Sequence, residues 1–179
     1  QVYDIYVMNA NGSGVTRLTD HPRTDEEPDW SPDGREIVFA SERDSTDVPY
    51  KITRELYIMN ADGSNLRSVT QDRAWNSEPA WSPDGRRIAF TSSRPPVGRD
   101  IFVIDVDGSN LHRLTDWPGD THPTWSPDGR YIAYQRQLEG ERTANMEIFV
   151  MNADGTDQRN ITNHPANDTN PHWLNPRIV

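Results

Sequence analysis

A phrase of five residues, Trp-Ser-Pro-Asp-Gly, occurs three times in this chain, at 30–34, 81–85 and 125–129. A second phrase runs from an acid, a branched residue and an aromatic to Asp/Asn-Gly-Ser/Thr, and it occurs four times. Trp173 begins a divergent fourth copy of the first phrase. The copies recur every 44 to 51 residues, which is the period of propellers and other repeat arrays. The chain is therefore expected to fold from four copies of one unit.

Both phrases are turns between short β-rich runs. Ser-Pro-Asp-Gly places Pro at the second and Gly at the fourth position of a type I turn. Asn-Ala-Asp-Gly places Gly where a hairpin bulge needs a left-handed backbone. Runs such as Ile37-Val38-Phe39 and Leu56-Tyr57-Ile58 have the composition of strands. Each repeat thus predicts four antiparallel strands, A to D, and the chain predicts an all-β propeller of four-stranded blades.

The order of the phrases predicts one domain, residues 1–179, in which one blade is split between the two termini. The predicted parts are a half-blade at 1–20, blades at about 28–71, 79–116 and 123–163, and a half-blade at 171–179. We expect the two half-blades to combine into a fourth blade. Two other arrangements stay open: the half-blades clasp neighbouring copies into a ring or filament, or the four repeats belong to a longer propeller.

The string Pro-x-Trp-Ser-Pro-Asp-Gly-Arg-x-Ile-Ala-Phe, followed by Asp-Ile-Phe-Val and Asn-Ala-Asp-Gly-Ser, resembles the blades of TolB-like, WD-repeat-like propellers. The resemblance covers nearly the whole chain and implies the propeller fold. Since such blades occur in periplasmic and secreted proteins, it also implies a periplasmic, cell-surface or secreted location. It implies no single activity, because propellers host many functions.

The composition narrows the classes of partner. The formal net charge is −10 and the pI is about 4.8, so the surface repels phosphate backbones and nucleic acid is not expected to bind. No apolar run approaches the roughly 18 residues of a membrane span, and residues 1–6 read as a strand and not as a signal peptide. The absence of cysteine excludes disulfides and thiolate metal sites.

The loops between strand D and the next strand A hold nine acids and two bases, and they lead towards the propeller axis. Fourfold repetition is expected to gather their polar residues around that axis, and Trp75 and Trp117 lie in the same loops. The predicted ligand-binding residues on the channel rim are Asp25, Glu27, Asn76, Glu78, Asp120, His122, Asp168, Asn170, Trp75 and Trp117.

This oxygen-rich set suits two kinds of ligand. Hard cations such as Ca²⁺ prefer carboxylate and amide oxygens, which makes Asp25, Asp120 and Asp168 candidate calcium ligands. Basic peptides are attracted to the same acidic field. Alternatively, Asp and Asn in these positions cap tight turns by bonding their own backbone.

The sequence contains no nucleophile elbow and no His-Glu-x-x-His motif, so no catalytic residues are predicted. The favoured function is a non-enzymatic, extracytoplasmic module that binds a protein, peptide or glycan on its acidic loop face. The first alternative is a structural subunit that self-associates through its terminal half-blades. A more distant alternative is a metal-dependent carbohydrate lyase, since secreted oligogalacturonate lyases with similar propellers hold a metal with histidines; His21, His122 and His164 are the candidates here.

Overall fold

A computed structural model of the chain describes residues 2–45, 52–94, 98–138 and 145–174. The regular structure within these ranges is made of β-strands and contains no helix. Accordingly, the described residues include no helix that is long and apolar enough to cross a membrane. The all-β prediction is confirmed.

The strands form three four-stranded antiparallel sheets and one two-stranded hairpin. The N-terminal hairpin pairs β1 (Tyr6–Val7) with β2 (Thr16–Arg17). Blade 1 contains β3 (Asp25–Trp30), β4 (Glu36–Ser41), β5 (Glu55–Asn60) and β6 (Arg67–Ser68). Blade 2 contains β7 (Trp75–Trp81), β8 (Arg87–Ser93), β9 (Arg99–Asp105) and β10 (His112–Arg113). Blade 3 contains β11 (Asp120–Trp125), β12 (Tyr131–Leu138), β13 (Asn145–Asn152) and β14 (Arg159–Asn160).

The repeated phrases form the tips of the hairpins, as their chemistry predicts. In the first phrase, Gly34 donates its N–H to the carbonyl of Ser31 at 2.9 Å, and the Asp33 carboxylate accepts the Ser31 hydroxyl at 2.7 Å. In the second, Gly63 has a φ of +85° and donates to the carbonyl of Asn60 at 2.9 Å. A residue with a Cβ would be strained at that φ.

A threonine in each repeat joins the last strand to the strand before it. Its hydroxyl oxygen accepts the backbone N–H of the residue that follows the repeated acid, at 2.9 to 3.0 Å. The four bonds run from Ile5 to Thr19, from Leu56 to Thr70, from Ile101 to Thr115 and from Ile148 to Thr162. The constant spacing between glycine and threonine therefore sets the register of strand D against strand C.

The hydrophobic core lies between successive blades. Leu56 and Ile58 of blade 1 pack against Trp81, Phe90 and Phe102 of blade 2, and all five are buried. Blade 2 packs against blade 3 through the equivalent positions. In the same way, Ile5 and Leu18 of the N-terminal hairpin pack against Phe39, Tyr57 and Met59 of blade 1. Each unit thus covers the face that the following unit in the chain turns towards it.

The blades begin three or four residues earlier than the sequence predicted, at Asp25, Trp75 and Asp120. The prediction took the proline of Pro-x-Trp as the start of strand A. In the structure strand A continues on the N-terminal side of that proline through a bulge, seen as a register shift between Glu26 and Asp29 in blade 1. Among the described residues β1 pairs with β2 alone. Residues 175–179 lie outside the described residues, so the joined fourth blade stays a prediction.

Candidate functional site

Strand A of blades 1 to 3 carries a bulge whose central residue has a left-handed backbone, and Asn170, which also precedes a proline, has the same conformation. Glu27, Glu78, His122 and Asn170 have φ values of 56°, 54°, 54° and 56°. This conformation is uncommon for residues with a Cβ and persists only where the surroundings enforce it. At each position the next residue is proline, which has no N–H to donate to a neighbouring strand. The chain can therefore leave the regular pattern of hydrogen bonds between strands there. These four residues line one common cavity.

Hydrogen bonds between these bulges connect the blades. The Glu78 N–H donates to Oε2 of Glu27 at 2.8 Å, and the His122 N–H donates to Oε2 of Glu78 at 2.8 Å. Nδ1 of His122 lies 3.3 Å from Oε1 of Glu78. At these two junctions one carboxylate thus holds the backbone of the next blade in its left-handed conformation.

The third junction uses a different acceptor. Gln135 of β12 accepts the Asn170 N–H at 2.7 Å through Oε1, and its amide donates to Oγ1 of Thr121 at 3.0 Å. In blade 2 the position equivalent to Gln135 is Thr91, whose hydroxyl donates to Glu78 at 2.6 Å. His122 stands in blade 3 where blades 1 and 2 have a glutamate. The Gln135 amide therefore takes the place of the carboxylate and holds the backbone at Asn170.

These residues border a cavity of about 590 Å³, here called the axial cavity because three blades contribute equivalent residues to its wall. Its wall consists of the residue before proline, the proline, the following residue and the tryptophan of blades 1, 2 and 3, together with Asn170, Pro171 and His172. The turn prolines Pro32, Pro83 and Pro127 also line it. Glu27, Glu78, His122 and Asn170, all predicted from the sequence, are therefore brought together in one cavity.

Burial gives two carboxyl groups of this cavity an unusual affinity for protons. Desolvation raises the pKa of Glu27, against the opposing effect of the Glu78 N–H, and the nearby Glu78 carboxylate raises it further. Desolvation also raises the pKa of Asp29, whose Oδ2 accepts the Trp81 N–H at 2.8 Å. Both groups would be stabilised as carboxylates by a cation that enters the cavity.

Asp25 and Asp120, in contrast, do not line this cavity. Both residues are fully buried at the start of strand A. The Asp25 carboxylate accepts two bonds from Arg43, at 3.0 and 2.9 Å, and the Asp120 carboxylate accepts two from Arg136, both at 2.7 Å. They hold an arginine within their own blade, which differs both from a place in the cavity wall and from capping a tight turn through their own backbone.

Asn76 occupies the same position in blade 2 and is also fully buried. Its amide donates to Glu55, Thr70 and Asp72, and its carbonyl accepts the Ser92 hydroxyl at 2.6 Å. Asp168 is half-buried, and its N–H donates to the carbonyl of Met146 at 2.7 Å.

The two loop tryptophans lie outside the cavity lining as well. Trp75 is the first residue of β7, and the guanidinium of Arg54 lies 4.0 Å from its ring centroid. Trp117 is exposed in the loop between blades 2 and 3, where its Nε1 donates to the carbonyl of Gln137 at 3.2 Å. Trp30, Trp81 and Trp125 line the cavity instead.

The described part of the chain contains no group of three or more His, Asp or Glu side chains arranged to hold a metal ion. His21 and His164 each accept, through Nδ1, the N–H of the residue two positions later, at 3.2 Å. Two of the three histidines considered for a lyase metal thus cap their own loops, and the third, His122, lines the cavity beside Glu78. The calcium site at Asp25, Asp120 and Asp168 stays a prediction.

Sequence reasoning missed Asp29 and His172 of the cavity wall and the arginines that neutralise the buried acids. Arg43 lies 4.5 Å from the ring centroid of Tyr57, and Arg136 lies 4.6 Å from that of Phe149. For Arg43 a signal was present, because Phe-x-Ser-x-Arg occurs at 39–43 and again at 90–94, whereas Arg136 stands in Tyr-x-Arg and lies outside this pattern. Asp29 is the residue between proline and tryptophan in Pro-x-Trp. Because that residue differs from repeat to repeat, the sequence carried no signal for it.

Comparison with known proteins supports this architecture. A family profile described as TolB beta propeller domain matches residues 50–141. An uncharacterized protein of Agrobacterium fabrum is 35% identical over 123 residues, which cover 65% of this chain and 40% of that protein. The crystal structure of TolB from Acinetobacter baumannii has a TM-score of 0.72 at 20% identity, over 87% of this chain and 36% of that one.

An oligogalacturonate lyase from Vibrio parahaemolyticus has a TM-score of 0.66 at 13% identity, over 90% of this chain and 46% of that one. At such identities these two structures show the fold alone. This chain spans less than half of the length of the curated relatives that it matches. Because the family profile covers half of the chain and the blades have the expected strand order, the chain belongs to the TolB beta propeller domain family.

Proposed function

We propose that this protein is a non-enzymatic, extracytoplasmic binding module whose axial cavity takes a cationic segment of a protein or peptide partner. The observation that carries the proposal is the cavity of about 590 Å³ bordered by the carboxyl groups of Glu27, Asp29 and Glu78. Its volume falls in the range of roughly 300–1,000 Å³ that is typical of ligand pockets. The extracytoplasmic location rests on the resemblance of the blades to the TolB family.

The carboxylates are arranged to receive positive charge. The side chains of Glu27 and Glu78 are 35% and 18% exposed, so each is reached from the cavity although its Oε2 is held by the next blade. Burial raises the pKa of Glu27, which means that the surrounding residues stabilise its negative charge less well than water does. A lysine or arginine side chain from a partner would supply that stabilisation.

The remaining wall suits the rest of such a side chain. Prolines and tryptophans from three blades present apolar surface, against which the methylene groups of lysine or arginine can pack. Trp30 is 45% exposed, and its ring face can attract a cation directly. The cavity therefore combines a charged border with apolar walls, which favours a basic peptide over a neutral glycan.

Isothermal titration calorimetry with three probes tests the proposal. Tetra-lysine is expected to bind the wild-type protein, whereas tetra-glutamate and a neutral oligosaccharide are not. The double variant Glu27→Gln with Glu78→Gln should bind tetra-lysine at least roughly tenfold more weakly, since it loses two charge-assisted contacts. The matched control is Asp116→Asn, which removes an exposed acid that does not line the cavity, and it should bind as the wild type does.

Several outcomes would overturn the proposal. Equal affinity of the double variant and the wild type would place binding elsewhere, and preference for the neutral oligosaccharide would assign the cavity to glycans. Because a lyase shares this fold, the wild-type protein should also be incubated with oligogalacturonate. Release of unsaturated products would show an enzyme.

A further inference from the structure

The turn between β1 and β2 differs from the equivalent turns of the blades by one residue. The blades carry aspartate before the turn glycine, at Asp62, Asp107 and Asp154. The first turn carries Asn11 in that position, and it is the one asparagine of the sequence that glycine follows. An asparagine in this position can lose its side-chain amide, because a glycine nitrogen has no neighbouring Cβ to hinder its approach to the side chain.

Two donors of Ser13 hold the amide oxygen of Asn11. The Ser13 N–H donates to Oδ1 of Asn11 at 3.0 Å, and the Ser13 hydroxyl donates to the same oxygen at 2.7 Å. The hydroxyl also accepts a bond from the Asn9 amide at 3.1 Å, which leaves its own proton directed at Oδ1. Negative charge develops on this oxygen when a nucleophile attacks Cγ, and donors already in place at such an oxygen lower the barrier.

The attacking group is the backbone nitrogen of Gly12, the next residue in the chain. Its N–H donates to the carbonyl of Asn9 at 2.8 Å, and this bond must open before the nitrogen can attack. Asn9, Asn11 and Gly12 are all exposed. Water can therefore replace the bond at a small net cost, so the turn does not block the reaction.

The exposure of this turn does not depend on what packs beside the hairpin. In blade 1 the equivalent turn lies against the preceding unit, since a Cβ on Gly63 would lie 3.1 Å from the carbonyl oxygen of Leu18. Asp62 and Ser64 of that turn are nevertheless exposed. Water thus reaches this position of the turn even in a blade that has a packed neighbour.

The turn also fits a carboxylate in place of the amide. Oδ1 of Asp62 accepts the N–H of Ser64 at 2.9 Å and its hydroxyl at 2.6 Å, the same two bonds that Asn11 accepts. Asp107 and Asp154 accept the equivalent pair. These bonds hold the pKa of all three carboxyl groups below the ordinary value. An aspartate at position 11 would therefore keep the hydrogen bonds of the turn.

We propose that Asn11 is a site of spontaneous deamidation and that the two donors of Ser13 promote the reaction. The Gly12 nitrogen attacks Cγ of Asn11 and closes a cyclic imide. The bond from Cγ to Nδ2 breaks, and ammonia leaves with the proton that the Gly12 nitrogen gives up. Water then opens the imide at the side-chain carbonyl to give aspartate, or at the main-chain carbonyl to give isoaspartate. Either product adds one negative charge to the net charge of −10.

Incubation of the full chain at mildly alkaline pH, followed by isoelectric focusing and peptide mapping, tests this inference. A form with one added negative charge should accumulate, and both products should map to residue 11. Asn60 and Asn152, which precede alanine, should stay unchanged. Asn11→Gln should give no acidic form over the same time, because its longer side chain closes a ring less readily.

A pair of serine variants tests the role of the donors. Ser13→Ala should slow the conversion roughly fivefold, a smaller loss than in a dry active site because water partly replaces the hydroxyl. Ser64→Ala is the matched control: it makes the same change beside Asp62, so Asn11 should convert at the wild-type rate. Equal thermal midpoints of the two variants would show that the slower rate does not come from a change in stability. A wild-type protein that forms no acidic species, conversion at another asparagine, or a Ser13→Ala rate equal to that of the wild type would overturn the inference.

Discussion

The carboxylate of Glu27 in blade 1 accepts the backbone N–H of Glu78 in blade 2, with 2.8 Å between Oε2 and the nitrogen. The bond fixes the left-handed backbone of the second bulge and places a negative charge beside the axial cavity. The same carboxyl group is half-buried, and desolvation raises its pKa. One side chain thus contributes to the contact between blades and to the field of the cavity.

Glu27→Gln should make the protein more stable at neutral pH. The folded state binds the Glu27 proton more tightly than the unfolded chain, because burial raises the pKa of this group. Stability is therefore lost as the pH rises from the ordinary glutamate pKa, about 4.3, through the raised value of the folded state. Glutamine retains an oxygen for the Glu78 N–H and undergoes no such loss. Urea unfolding at several pH values measures the difference.

The two proteins should have equal free energies of unfolding below the ordinary glutamate pKa, with the variant gaining as the pH rises. A wild-type protein that is more stable than the variant at pH 7 would contradict this account. It would mean that the Glu27 charge stabilises the fold through Arg54, which lies 4.0 Å away.

Asp120→Ala should destabilise the fold without changing the cavity. Asp120 is fully buried and holds Arg136 with two bonds of 2.7 Å. Removal of the carboxylate leaves a buried guanidinium without its counter-charge, which costs roughly 3–5 kcal/mol. Chemical denaturation measures the loss, and Asp116→Ala is the exposed control, expected within about 0.5 kcal/mol of wild type. A loss of tetra-lysine binding by folded Asp120→Ala protein would contradict the local role of this residue.

The blades could be predicted from the sequence because the conformation of each turn is determined by the residues within that turn. Gly34 and Gly63 stand where the backbone needs positive φ, with φ of 69° and 85°, and the Gly-to-Thr spacing sets the register of strand D. It also identified Glu27, Glu78, His122 and Asn170 as cavity residues. These features depend on a few neighbouring residues, so they can be read from a single chain.

The different roles of Asp25 and Glu27 could not be predicted from the sequence. The two residues stand two positions apart and would share one side of a regular strand. The register shift between Glu26 and Asp29 breaks that alternation, and Asp25 turns into the blade towards Arg43 while Glu27 borders the cavity. Nothing in Glu27-Pro28 itself requires a left-handed glutamate. The bulge is enforced by the neighbouring blades, and contacts of that kind are not visible in local sequence.

Thr70→Val should lower stability by roughly 1–3 kcal/mol, the cost of leaving a buried polar group without its partner. The Thr70 hydroxyl accepts the Leu56 N–H at 2.9 Å and donates to the buried Glu55 carboxylate at 2.5 Å. Valine keeps the shape and removes these two bonds together with the one that the hydroxyl accepts from the Asn76 amide. Thr16→Val, at an exposed position, is the control. Equal thermal midpoints for the two variants would show that the Thr70 hydroxyl does not hold strand D against strand C.

Calcium should not stabilise the protein. A calcium ion bound by Asp25 and Asp120 would have to displace Arg43 and Arg136, each held by two bonds. Thermal unfolding with millimolar Ca²⁺ and with a chelator should therefore give the same midpoint, since a ligand raises the midpoint only when it binds the folded state. A rise with Ca²⁺ that disappears in Asp168→Asn would instead support the predicted calcium site.

The indole N–H resonances of the six tryptophans test the central claim most directly. Trp30, Trp81 and Trp125 line the cavity, whereas Trp75 and Trp117 lie outside its lining. When ¹⁵N-labelled protein is titrated with tetra-lysine, the signals of the first three should shift together and saturate with one affinity, and those of Trp75 and Trp117 should stay in place. Shifts confined to Trp75 and Trp117 would show that a cationic partner binds the outer loops, and would contradict binding in the axial cavity.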